Sequence, residues 1–231
     1  MYIDAAKHGD CWLVRNAWGH DLKLPCRETY KGASLEIGTL GTRAPGFKPK
    51  PYLRRFEAVA QMLDTLHRPL YLMDTRRGGT GASSSWSPLE FATKIPALLS
   101  PECSYAFLHL PCLAPSIELR NDENLSWEGF RDRYRQELSQ EALNVAQAFV
   151  ESAAERGGLP ILLCAEEYCM EFEKLSQQEQ EASYCHRFTL ARCLADRLKA
   201  TYTEVNVTRV DLDIRDFVAS RPSYQPRRKT L

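Results

Sequence analysis

Two short clusters, Cys164-Ala165-Glu166 and Cys185-His186-Arg187, place thiols, a carboxylate, an imidazole and a guanidinium on either side of residues 167–184. These groups suit covalent and acid/base chemistry on an anion. A thiolate attacks, an imidazole moves protons, a carboxylate orients, and a guanidinium holds negative charge. The apolar run Leu159-Pro160-Ile161-Leu162-Leu163 ahead of Cys164 reads as a strand covered on both faces. Cys164 and Glu166 then sit at its carboxyl end, where open α/β sheets bind ligands. Phe188, Leu190, Ala191, Cys193, Leu194 and Leu198 recur at helical spacing, so Cys185, His186 and Arg187 fall in a helix's first turn. Backbone N–H groups there lack intrahelical partners and the dipole is positive, conditions that favour a thiolate. The expected roles are Cys185 as nucleophile, His186 as acid/base, and Cys164 and Glu166 as members of the same catalytic pocket.

The elements that position this pocket follow from the rest of the chain. Leu35-Glu-Ile37-Gly-Thr39-Leu40 alternates as a strand does and runs into Gly41-Thr42-Arg43. Apolar residues from Leu53 to Leu66 recur at helical intervals and predict a helix. Leu70 to Met73 is a second strand, ending in Asp74-Thr75-Arg76-Arg77 and a Gly/Ser-rich loop to Ser85. That loop can cradle an anion, although it lacks the Lys-Ser/Thr of a Walker loop. Thr39, Arg43, Asp74, Arg76, Arg77 and Arg187 are therefore the expected ligand-binding residues. Ser87 and Pro88 start a helix to about Leu99, and Ser104 to Pro111 is a third strand in which His109 reads as a packed residue. After a loop over Cys112 to Ser126, helices are expected at Trp127–Leu138 and Gln140–Arg156, the second ended by Gly157. Thr203 to Val210 alternates as a last strand. The succession predicts an α/β fold: a mainly parallel sheet flanked by helices, in a single compact domain with an N-terminal extension. The extension is residues 1–33, the domain 34–220 with an insert at 168–184, and the basic tail 221–231.

Thirty basic and thirty acidic side chains cancel in formal charge, so no global field favours a polyanion. Nucleic acid remains possible only through local groups: Arg43, Arg76, Arg77, Arg187 and the tail Arg227-Arg228-Lys229. A small anionic or nucleotide-like ligand is the expected partner, and no cofactor is specified. No run approaches the ~18 apolar residues of a membrane span. Dispersed cysteines and the lack of a basic-then-apolar leader fit the reducing cytoplasm. Cys164, Cys169, Cys185, His186 and Cys193 include enough donors for a zinc site, but without the tight pairing of zinc ribbons, so a zinc-stabilised interaction domain is an alternative to the enzyme. A non-catalytic nucleotide or nucleic-acid binding module is another.

Ile37-Gly-Thr-Leu-Gly41, Leu72-Met-Asp74-Thr-Arg76-Arg77, Leu162-Leu-Cys164-Ala-Glu166 and Cys185-His186-Arg187 together resemble the order of motifs in the domain of unknown function 488 family. The resemblance spans about Ser34 to Val210 and includes the aromatic segment Trp127-Glu-Gly-Phe130 to Tyr134. It implies a compact α/β domain with a polar pocket, without supplying a reaction. Two departures stand out: members usually join the two cysteine motifs by a short turn, where this chain carries an insert, and its loop after Asp74 is richer in Gly and Ser.

Overall fold

A computed structural model describes residues 5–8, 11–14, 22–25, 32–43, 68–77, 87–101, 103–167 and 186–209. The expected helix from Leu53 to Leu66, the Gly/Ser loop tip, the insert, Cys185 and the basic tail lie outside them.

Three four-residue strands, β1 (Ala5–His8), β2 (Cys11–Val14) and β3 (Leu22–Pro25), form an antiparallel sheet in that order. Sequence reading gave this region only as an irregular extension. Strands of four residues are too short to display a period of two, and Cys11-Trp-Leu-Val14 is apolar throughout. β4 (Gly32–Arg43), β5 (Leu70–Asp74), β6 (Tyr105–His109), β7 (Leu159–Glu167) and β8 (Tyr202–Arg209) form a second sheet, ordered β6-β5-β7-β4-β8. Every pairing in it is parallel. The expected α/β fold, with a parallel sheet flanked by helices, is what the chain adopts.

The helices are α1 (Pro88–Leu98), α2 (Ile117–Arg120), α3 (Trp127–Glu137), α4 (Gln140–Glu155) and α5 (His186–Leu198). Strand alternation divides the core between the two faces of the sheet. Tyr71, Met73, Ile37 and Leu162 pack with Tyr134, Phe149, Leu190 and Leu194 of α3, α4 and α5. Leu70, Leu72, Ile161 and Leu163 pack instead with Phe91 and Ile95 of α1. β2 and β3 lie against α4.

Helix ends are set by local chemistry. The hydroxyls of Ser116, Ser126 and Ser139 accept the N–H groups of Leu119, Gly129 and Ala142 at 3.0, 3.2 and 3.1 Å. The first of these caps makes α2 out of a stretch expected to be loop. Gly157 ends α4 with φ of 66°, while Gly158 N–H donates to Ala153 C=O at 2.8 Å. A Cβ on Gly158 would lie 2.8 Å from Pro69 O, so the chain can enter β7 beside β5 only with glycine there.

Candidate functional site

The strand order fixes where a crevice can form. From β5 the chain leaves through α1 to β6, at one edge of the sheet, whereas from β7 it leaves towards β8, at the other. Neighbouring parallel strands whose following connections diverge leave a crevice outside their carboxyl ends, and in this sheet those strands are β5 and β7. Among the described residues, the buried polar or charged side chains are Thr39, Asp74, Thr75, Arg76, Ser152, His186, Arg187 and Thr189. All but Ser152 and Thr189 belong to the strand ends and first helical turn around this crevice.

The residues divide between two clusters because successive strand residues face opposite ways. On the α1 side, Asp74 Oδ1 accepts from Arg76 N at 3.0 Å and Nε at 2.8 Å, and Oδ2 accepts from Nη2 at 2.6 Å. The Arg76 guanidinium lies 5.1 Å over the Phe91 ring. His109 Nε2 is 2.7 Å from Arg76 O, so this histidine, read from sequence as a packed, hydrogen-bonded residue, ties the end of β6 to the turn after β5. Tyr105 donates to Phe91 O at 2.9 Å; burial, and secondarily the Asp74 carboxylate, holds its phenol well above the ordinary range.

On the α5 side, Thr75 Oγ1 donates to Leu163 O at 2.8 Å and lies 3.0 Å from His186 Nε2. Arg187 Nη1 donates to Cys164 Sγ at 2.8 Å, and its guanidinium sits 4.8 Å from the Phe188 ring centre. The Tyr134 ring meets His186 edge-on at 5.8 Å. Thr39 Oγ1 donates to Thr208 O at 3.0 Å, holding β4 to β8 at the same edge.

Asp74 therefore engages Arg76, and Arg187 engages Cys164. Arg77 is exposed and donates through Nε to Pro115 O at 2.9 Å. Glu166 is the last but one residue of β7, and Arg43 ends β4, where it aligns with Glu167. Cys185, next in sequence to His186, lies outside the described residues. Thr75 was missed by sequence reasoning. Its signal was its place between two charged residues at a strand end, with alternation aiming it opposite to both neighbours.

The hydroxyl of Thr75 has one proton, and it is directed at Leu163 O. Its contact with His186 must then be an Nε2–H donating to the hydroxyl oxygen, leaving Nδ1 as the site of proton gain or loss. Nitrogen-15 NMR should accordingly find neutral His186 as the Nε2–H tautomer, and Thr75→Val should relax that preference. An Nδ1–H tautomer in the unaltered protein would overturn the assignment.

Burial pushes the Cys112 thiol up to about 11 and also raises Cys193, against which the Arg135 guanidinium acts. Among the described residues, no group of three or more His, Cys, Asp or Glu side chains gathers as a metal site. No helix of the described residues is long and apolar enough to cross a membrane.

A parallel α/β domain with its buried polar residues collected at one switch point is the class that fold and site define. The model of the family described as Domain of unknown function DUF488 matches residues 87–194 of the chain. The matched stretch runs from the start of α1 into α5 and includes both cysteine motifs. Neither the curated proteins nor the solved structures yield a significant match.

Proposed function

We propose that the protein is an enzyme acting on a small phosphorylated or nucleotide-like ligand in the crevice between β5 and β7. The observation that carries this reading is the concentration of buried polar side chains at the switch point, since each such group costs free energy unless partnered. In this reading Arg77 is the exposed cation that meets the ligand. Asp74 locks Arg76 and thereby shapes the turn that presents Arg77. His186 is the acid/base group through Nδ1, and Arg187 fixes Cys164 and with it the end of β7. Cys185 is the nucleophile, with Glu166 orienting and Thr39 and Arg43 contributing from the end of β4.

One observation favours a second reading, a binding module without catalysis: His186 and Arg187 are 3% and 1% exposed and already engaged within the protein. The readings separate on turnover.

The test is a thermal-shift survey of nucleoside mono-, di- and triphosphates and sugar phosphates, followed by calorimetry on any that stabilise the fold. A ligand at ~100 times its Kd adds about 2.7 kcal/mol. Arg77→Gln should weaken binding roughly tenfold, the worth of one charge-assisted hydrogen bond, without lowering the melting temperature of the free protein. No stabilising compound, or equal affinity in Arg77→Gln, would sink the anion-crevice reading. Turnover lost in His186→Asn while binding persists marks the enzyme; ligand bound without any turnover marks the module.

A further inference from the structure

We propose that α3 and α5 form a second anion site, separate from the sheet-edge crevice, which takes a phosphate group. Their contact borders a partly open cavity of about 70 Å³ lined by Trp127, Arg131 and Arg135 of α3 and by Phe188, Thr189 and Arg192 of α5. The α3 residues recur every fourth position and so form one stripe; on α5, Phe188 and Arg192 share that spacing. Three guanidiniums thus converge from two helices of a chain whose formal charges cancel.

Like charges four apart on a helix repel. Asp132 lies 3.3 Å from Arg131 and 4.0 Å from Arg135, but it is 59% exposed and its attraction is screened by water. A guanidinium has five donors, so the Asp132 contacts of Arg131 and Arg135 and the Cys193 contact of Arg135 leave donors for a ligand. Room for about five waters, by the usual measure of water per cavity volume, suits the five heavy atoms of a phosphate group.

Thr189 supplies the independent observation. Its residue is 2% exposed, and its buried hydroxyl has no hydrogen-bond partner among the described residues. A buried hydroxyl without a partner is unfavourable, and helical threonines ordinarily bond a carbonyl one turn back. A phosphate oxygen accepting from Thr189 Oγ1 relieves that cost while meeting the three arginines. Trp127 and Phe188 supply the apolar part of the lining beside these solvent-accessible arginines.

The experiment is calorimetry of the full chain with inorganic phosphate and, in parallel, adenosine 5′-monophosphate. Saturable binding of phosphate is expected, weakened roughly tenfold in Arg192→Gln and in Arg131→Gln, each a change at a solvent-accessible side chain. Arg77→Gln should leave this affinity unaltered, which distinguishes the site from the crevice. Tighter binding of the nucleotide identifies a phosphomonoester as the ligand, and equal binding identifies free phosphate; both support the site. Absence of saturable phosphate binding, equal affinity in both arginine variants, or loss of binding in Arg77→Gln alone would overturn it. Binding of a single-stranded oligonucleotide without binding of either small anion would overturn it as well.

Discussion

Asp74→Ala should cost about 3–5 kcal/mol of stability, the usual penalty for orphaning one member of a buried ion pair. The carboxylate is 0% exposed and the Arg76 side chain 7%. Removal would strip the guanidinium of both of its carboxylate bonds and leave Arg76 N–H without its acceptor. The Phe91 ring would still lie against the guanidinium as a weak partner. Against a typical domain stability of roughly 5–15 kcal/mol, such a loss is a large fraction. Urea denaturation followed by circular dichroism measures it, with the midpoint falling at unchanged slope. Asp74→Leu combined with Arg76→Met should recover most of the loss, because both charges then leave the interior together. A single variant within about 0.5 kcal/mol of the parent would show that the pair does not hold the turn after β5.

The same pair illustrates what sequence could and could not reveal. β5, β6, β7 and β8 were legible because their apolar alternation or apolar runs reflect which faces the sheet buries. Helices α3 to α5 were legible from helical spacing, and α4 ends at Gly157 as read. The strand order was not legible. β7 inserts between β5 and β4, and that choice depends on which faces the crossover helices cover. Without it, Asp74 and Arg187 seemed equally close to every residue at the sheet edge. Strand parity assigns Asp74 to the α1 face and Cys164 to the α5 face, so the partners follow once the order is known. Thr189 and the α3 arginines were invisible as a group for a related reason. They belong to two helices separated in sequence by α4 and β7, and no local pattern announces their meeting.

Arg187→Ala should be the second large loss, about 3–5 kcal/mol by analogy with truncating other large buried side chains. Arg187 is among the largest fully buried side chains of the described residues, 1% exposed. It spans the space between the first turn of α5 and the end of β7, with Nη1 on Cys164 Sγ. Truncation both opens a cavity and removes that hydrogen bond, and Arg187→Met separates the two effects. If packing dominates, methionine restores most of the stability; if the guanidinium–sulfur contact dominates, roughly 1.5–3 kcal/mol stays lost. A second readout follows the same contact from packing into dynamics. Cys164 is 0% exposed, so an alkylating reagent reaches it only when the region opens. Peptide-resolved iodoacetamide labelling should therefore be slow at Cys164 in the parent and much faster in Arg187→Ala, as α5 loosens from β7. Unchanged stability together with unchanged labelling would show that Arg187 does not join the helix to the strand. The first turn of α5 would then rest on other contacts, among them Thr75 with His186 and the Tyr134 ring against His186.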